Sequence, residues 1–549
     1  MAALSSVSLS DVSKDLLRSL KECNARGLIH SANWAIELVS SLPPLKTLPT
    51  FEEEATEEFK DDFYSYNLAK GYFDLKEFER ASHVSRNCRS HKGYFLHLYS
   101  LYMSGEKKKR YQMVDVLEPS SKAVENEELR GLRAELQNNI DKLDGYCFYL
   151  YGVVLNGLSL YTEAIEMLLK AVEKEPVHWG AWKELASICK NRETLQNLKL
   201  PNHWMAEFFQ AQAELEVQMT EEALRRYENI CSAGFAKSTY VKQQMALAYY
   251  NLRDFVQATE HFKDLQTKDP YMLDHVDTYS NILYIQDSKA ELSYLAHRVA
   301  EVDKYRYESC GVIGNYYSLR GQHEKAVLYF RQALKLNPQH VVAWTLLGHE
   351  YVELKNTSAA IESYRRATEA SAKDYRAWYG LGQTYEILKM PYYSLYYYNE
   401  AYKLRPYDSR ILIALGDTYH SLDKNEEAKK CYLKAFRIGD PEGQASMKVA
   451  KLYLQSGEED NAFRLYSIVL DDTDQSAFHT SEDVAKGLVF AARYCLKTGK
   501  YSEAEAYGRR ATEHIETREE ARSLLYEIRQ ARLGNEASDV AAYPFTTPS

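Results

Sequence analysis

Two histidines, His349 and His420, stand on similar helical segments, and a pair of imidazoles is what a metal site or an acid–base step would use. A metal would also want cysteines or carboxylates at ligand spacing, and no such set accompanies them. His-Glu-x-x-His is absent, so metal binding is not expected. Gly380 and Gly382 could suggest a phosphate-cradling loop, but no Gly-x-x-x-x-Gly-Lys-Ser/Thr run follows, and both fall inside a helix at packing positions. No Gly-x-Ser-x-Gly elbow offers a nucleophile. The eight cysteines (Cys23, Cys88, Cys147, Cys189, Cys231, Cys310, Cys431 and Cys495) are widely spaced and form no Cys-x-x-Cys, which suits reduced thiols rather than zinc or disulfides. No catalytic constellation and no cofactor follow from these residues.

The remaining charge features are surface features. Lys107, Lys108, Lys109 and Arg110 form the one compact basic run, read as a solvated loop in preference to an import signal. The acidic run Glu52, Glu53, Glu54 reads as linker or helix surface. A formal charge of −10 disfavours nucleic acid as a ligand. Nothing approaches the roughly 18 uncharged apolar residues of a membrane helix, and no signal peptide is visible, so an intracellular protein without a membrane partner is expected.

The elements that position these residues recur every 34 residues. Trp344, Leu347, Gly348, Tyr351, Ala360, Tyr364 and Ala367 are answered one period later by Trp378, Leu381, Gly382, Tyr385, Ser394, Tyr398 and Ala401. Gly314, Ala326 and Phe330 precede them, and Gly416, Ala428 and Tyr432 follow. This is the spacing of the tetratricopeptide repeat (TPR), and the chain resembles that family. The predicted fold is all-α, a superhelical TPR solenoid of antiparallel helix pairs.

With the repeat beginning at Val341, positions 4, 7, 8 and 11 share one face of a first helix, and positions 20, 24 and 27 share one face of a second. The packing set is Gly314, Trp344, Gly348, Ala360, Trp378, Gly382, Gly416 and Ala428. The small residues let helices approach, and the large ones fill the space beside them. With 24 Gly, 13 Pro and 45 Tyr in 549 residues, the composition agrees: few breakers, and an aromatic residue with a wettable hydroxyl.

The domain reading is N-terminal helices over 1–50, an irregular TPR array over 51–235, a regular array over 239–476, a last repeat with capping helix over 485–533, and a disordered tail over 534–549. Positions 5, 9 and 12 turn away from the packing face by about 100° or more. In the TPR family such residues line a concave channel. Asn315, Thr345, His349, Glu353, Tyr379, Gln383, Glu386 and Asp417 are the expected lining, polar, aromatic and somewhat acidic, suited to an extended peptide with an Arg and an apolar anchor.

A narrower resemblance rests on Gly314–Arg320, on Ala343–Tyr351, and on Asp374–Glu386 with its Ala377-Trp378-Tyr379-Gly380-Leu381-Gly382 core. These runs resemble the eighth-subunit family of the anaphase-promoting complex (cyclosome), a multisubunit ubiquitin ligase. The resemblance implies a non-catalytic nuclear (and cytoplasmic) scaffold in mitotic progression, with other subunits of the complex as partners. It also implies a homodimer through the N-terminal repeats, and a C-terminal groove receiving the Arg-containing motif of a coactivator. The alternative is a co-chaperone clamping heat-shock protein tails, which would need Lys or Arg where Asn315, His349, Gln383 and Asp417 stand.

Overall fold

The structure, a computed structural model, describes residues 8–43, 57–112, 126–189, 191–440, 443–472 and 482–541. The Glu52–Glu54 run, residues 473–476 of the predicted regular array, and residues 542–549 of the predicted tail lie outside the described residues. Every regular element among the described residues is a helix, and the molecule is an all-α TPR solenoid.

Three local devices recur along the repeats. The first is a cap: the residue before the first helix accepts a backbone N–H, as Asp144 does from Cys147 (2.8 Å), His340 from Ala343 (3.0 Å), Asp374 from Arg376 (3.0 Å) and Asp408 from Arg410 (3.1 Å). The second is a left-handed residue fourteen places after each repeat start: Ser159, Arg253, Asp287, Gly321, Lys355, Lys389, Asp423, Gly457 and Gly499 all have φ between 51° and 81°. The next amide then reaches back across the turn, as from Asn356 to the Tyr351 carbonyl (2.8 Å) and from Met390 to Tyr385 (2.9 Å). The third is the small-against-large fit. A Cβ on Gly348 would lie 2.5 Å from the Tyr364 ring, one on Gly382 2.5 Å from Tyr398, and one on Gly416 2.3 Å from Tyr432. Position 8 therefore seats the ring at position 24 of its own repeat. Gly380 presses on the other side of Tyr364, also at 2.5 Å, which is the packing role expected of it.

Compactness divides the chain into two units, Met1–Gln322 with Gln332–Pro338, and His323–Arg331 with Gln339–Ser549. The seam falls inside the predicted regular array (239–476), since repeats that contact only their neighbours offer many equivalent places to divide.

In the first unit, helices Leu9–Ala25 and Ile29–Ser41 form a hairpin that turns at Gly27 (φ 77°). The hairpin packs on repeat helices more than a hundred residues away. Trp34 stacks on Trp179 (4.5 Å between centroids) and meets Phe208 and Tyr240 edge-on. Within the irregular array, helix Trp179–Ile188 is followed by a five-residue helix, Arg192–Gln196, and then by loop. The basic run departs from expectation. Lys107–Arg110 lies in helix His91–Gln112 rather than in a loop, with Lys108 paired to Glu79 (3.1 Å) and Glu128 (3.4 Å). Lys and Arg are good helix formers, and the two carboxylates steady the end of that helix.

The second unit continues in helix pairs to Arg518–Ala541. That last helix corrects the tail, which was expected to be disordered from 534. Gly534 costs a helix only about 1 kcal/mol, and no proline intervenes before Pro544.

Candidate functional site

The predicted lining residues separate into three groups. Asn315, in the first unit, is only 2 % exposed and donates to Ser280 Oγ (2.8 Å) and Asn281 Oδ1 (2.7 Å). Thr345, in the second unit, is 3 % exposed and donates to the Val341 carbonyl (3.1 Å). These two are corrected: both are interior hydrogen-bonding residues rather than ligand contacts. A first helix packs against the neighbouring repeat as well as its own partner, so part of the angular sector read as open is covered, at Asn315 by Ser280 and Asn281 of the preceding repeat.

The second group surrounds the position-24 tyrosines of the second unit. Tyr364 is fully buried, yet its hydroxyl meets His349 Nδ1 at 2.7 Å, and Glu353 bears on the same hydroxyl electrostatically. Burial, aided by the Arg376 guanidinium, holds His349 down to about 4, so the ring is neutral near pH 7 and shares a hydrogen bond with the Tyr364 hydroxyl through Nδ1. Tyr398 donates to Glu386 Oε2 (2.7 Å), and its ring lies 5.4 Å from that of Tyr379. Tyr432 donates to Asp417 Oδ1 (2.6 Å), which also receives Lys448 Nζ (2.6 Å). Each tyrosine thus spans the helix pair, ring in the core and hydroxyl on a polar side chain of the first helix.

Tyr379, Glu386 and Asp417 form one electrostatic neighbourhood with Asp408 and Arg410. Burial raises the Tyr379 phenol above its usual value, with the carboxylates adding to the effect. Glu353 and Glu386 are exposed carboxylates, and Tyr379 is half-buried. Gln383 is exposed and is the third kind, a side chain at the surface that the cluster does not recruit. His420 is exposed and contacts Asn425 Oδ1 (2.8 Å), apart from any cluster.

Sequence reasoning missed the cations. Arg376 and Arg410 stand at position 2 of successive repeats, and Lys448 engages Asp417 from the next repeat. The 34-residue spacing of the two arginines was available as a signal; the Lys448 pairing was not. Among the described residues no three His, Cys, Asp or Glu side chains gather as metal ligands, and no helix is long and apolar enough to cross a membrane. All eight cysteines are free thiols, six of them buried.

What the repeats and this surface define is a TPR scaffold with a polar, tyrosine-anchored cluster in its second unit. Tetratricopeptide family models match residues 319–385 and 409–438, and the model described as anaphase promoting complex subunit 8 / Cdc23 matches residues 11–246. Over 485 residues the chain is 49% identical to anaphase-promoting complex subunit 8 of Arabidopsis thaliana, covering 87% of this chain and 83% of that protein. The Dictyostelium discoideum subunit 8 is 39% identical over 95% of this chain and 98% of its own length. The cell division cycle protein 23 homolog of Homo sapiens is 48% identical over 54% of this chain and 50% of that protein. The chain belongs to the anaphase-promoting complex subunit 8 / Cdc23 family. The crystal structure of the APC/C hetero-tetramer Cut9–Hcn1 shares the fold, with a TM-score of 0.55 at 17% identity over 86% of this chain and 96% of that one.

Proposed function

We propose that this chain is a non-catalytic scaffold subunit of the anaphase-promoting complex, organising other subunits of that ubiquitin ligase and receiving an Arg-containing segment of a coactivator on the inner face of its second unit. Membership in the subunit 8 family supports the first part. The observation carrying the second is Tyr379 beside Glu386: an aromatic face next to an exposed carboxylate, a pair that suits a guanidinium. Asp417 contributes less, because Lys448 already neutralises it. The N-terminal repeats (51–235) serve homodimerisation, and the protein works in the nucleus during mitosis.

Calorimetry on the full chain with an extended peptide bearing one Arg and one apolar residue tests the site. Loss of a charge-assisted contact in Glu386→Ala should weaken binding by roughly 1.5–3 kcal/mol. Tyr379→Ala should add to the loss, while Gln383→Ala should do little. Equal affinity across wild type and the Glu353, Tyr379, Glu386, Asp417 quadruple alanine variant removes the peptide site from this face. The co-chaperone alternative predicts binding of a peptide with a free C-terminal carboxylate. Lys448, held by Asp417, is poorly placed to supply that cation. Light scattering on the full chain tests the dimer, and imaging in dividing cells tests the location.

A further inference from the structure

Along the second helices, a cation of one repeat is met by a carboxylate of the next. Lys263, at position 25 of the repeat at Thr239, reaches Glu291 at position 19 of the repeat at Leu273 (2.9 Å). Arg133 likewise finds Glu163, at position 19 of the repeat at Gly145, at 3.1 Å. Arg365 stands at position 25 of the repeat at Val341, and the position that would answer it holds Tyr393. Its guanidinium donates instead to the Tyr385 hydroxyl (3.1 Å), with Tyr397 as a further hydrogen-bond partner. The Tyr385 ring stacks on those of Tyr393 and Tyr397, each at 5.3 Å.

From the following repeat, Lys434 of helix Asn425–Ile438 reaches back to the Tyr402 hydroxyl and stands 4.8 Å from the centre of that ring, with Tyr407 and Cys431 as its other neighbours. Neither Arg365 nor Lys434 has a carboxylate partner among the described residues. Between them lies helix Pro391–Leu404, on which Tyr392, Tyr393 and Tyr396 are each more than half exposed. It carries no charge before Glu400, which Lys403 takes (2.6 Å), whereas the same three positions of the next repeat are Glu426, Glu427 and Lys430.

A phenol solvates a cation without cancelling its charge, so an incoming carboxylate gains a charge-assisted bond and breaks no internal ion pair. Exposed tyrosine hydroxyls also suit the carbonyls that an extended backbone leaves unpaired and a helix does not. We infer that the exposed face of helix Pro391–Leu404 is a docking site for an extended acidic segment of a partner protein, two of whose carboxylates pair with Arg365 and Lys434 across the tyrosines. Neighbouring helices pack about 8–10 Å apart, so the two cation-bearing helices are separated by about 20 Å. About six extended residues cross that distance. A second copy of the chain would set Arg365 and Lys434 against their own equivalents. A nucleic-acid backbone would meet the exposed Glu369, Glu426 and Glu427 beside them. The face is distinct from the Tyr379–Glu386 pair, so either site can fail without the other.

Fluorescence anisotropy on the full chain tests this with a labelled synthetic peptide carrying two Glu about six residues apart, with Pro and Leu between them. Arg365→Gln and Lys434→Gln should each weaken binding by about tenfold or more, as loss of a charge-assisted contact does. Lys263→Gln, whose cation Glu291 already holds, should leave the affinity unchanged. Tyr393→Glu returns a carboxylate to position 19 and should close the site as strongly. Exchange protection over residues 391–404 should survive it, since Glu is favoured in the first turn of a helix. A peptide with its two Glu adjacent should bind about tenfold more weakly or worse, because it reaches only one cation. Equal affinity for wild type and the Arg365→Gln, Lys434→Gln double variant would overturn the inference, as would a wild-type chain that binds no acidic peptide. Self-association abolished by Tyr393→Glu would assign the face to a second copy. An oligonucleotide held through Arg365 and Lys434 in place of the peptide would assign it to nucleic acid, and either result would overturn the proposal.

Discussion

Gly382→Ala isolates the close approach on which each repeat depends. The added methyl carbon would stand 2.5 Å from both Cδ1 and Cε1 of Tyr398 and 2.9 Å from its Cγ. Carbon atoms settle at about 3.5–4.0 Å, so the ring must retreat by roughly 1 Å. Tyr398 is 1 % exposed and has little room, and its hydroxyl would be drawn off Glu386, now 2.7 Å away. Overpacking of this kind costs about 1–3 kcal/mol. Losing the hydrogen bond to a carboxylate adds about 1.5 kcal/mol, and replacing a helical Gly returns about 1 kcal/mol. The net is a local loss of about 1.5–3.5 kcal/mol. Gly131→Ala is the matched control: it lies in helix Glu128–Asn138 with no atom within 4 Å of its ideal Cβ, so the same substitution should stabilise by up to about 1 kcal/mol. Amide hydrogen exchange resolves the two sites without assuming two-state unfolding of a repeat array. Protection over residues 375–404 should fall in Gly382→Ala, and protection over 128–138 should rise in Gly131→Ala. If Gly382→Ala also gains protection, the fit between positions 8 and 24 is not what holds the pair together.

Lys389 sits at φ 56°, where a side chain is strained, so Lys389→Gly should stabilise its repeat by about 1 kcal/mol in the same exchange measurement, and Lys389→Val should destabilise it. His349 is held down to about 4, against about 6.5 in an unfolded chain, so its contribution is complete above pH 6.5 and is lost as pH falls through 4. Unfolding midpoints between pH 7 and pH 4 should therefore fall more steeply in wild type than in His349→Asn. Lys448→Met leaves Asp417 without its cation, and a titration of the Arg-bearing peptide should then show tighter binding, by up to tenfold, if Asp417 faces the ligand.

The repeat frame was legible because packing demands few residue types at fixed places. Trp344, Gly348, Ala360 and Tyr364 state it once, and the caps Asp374 and Asp408 repeat at the same interval. The left-handed residue in each turn was not legible, because Lys355, Lys389 and Asp423 occupy a conformation that only Gly321, Gly457 and Gly499 advertise. Asn315 and Thr345 were misjudged for a different reason. A helical wheel gives the direction of a side chain but not what the neighbouring repeat places there, and Ser280 and Asn281 of the preceding repeat already fill the space at Asn315. The Arg26–Asp144 contact joins residues 118 apart with no periodic relation, so only the folded chain reveals it.

The tyrosines tie the packing of each helix pair to the proposed peptide site. A Phe at position 24 would fill the pocket left by Gly348, Gly382 or Gly416 as well as Tyr does, so packing alone does not ask for the hydroxyl. What the hydroxyl does is fix a polar residue of the first helix: Tyr364 holds His349, Tyr398 holds Glu386, and Tyr432 holds Asp417. A side chain held this way has already lost rotamer freedom, so a ligand meeting it bears less ordering cost. Tyr398→Phe should consequently leave the helix pair nearly as stable, since the lost bond ends at an exposed carboxylate that water can solvate. The same change should weaken an Arg-bearing peptide that depends on Glu386, by a few-fold, through the freedom returned to that side chain. Calorimetry beside exchange on the one variant separates the two effects. A Tyr398→Phe chain that loses its fold, or that keeps full peptide affinity, would break the link between the core ring and the groove carboxylate.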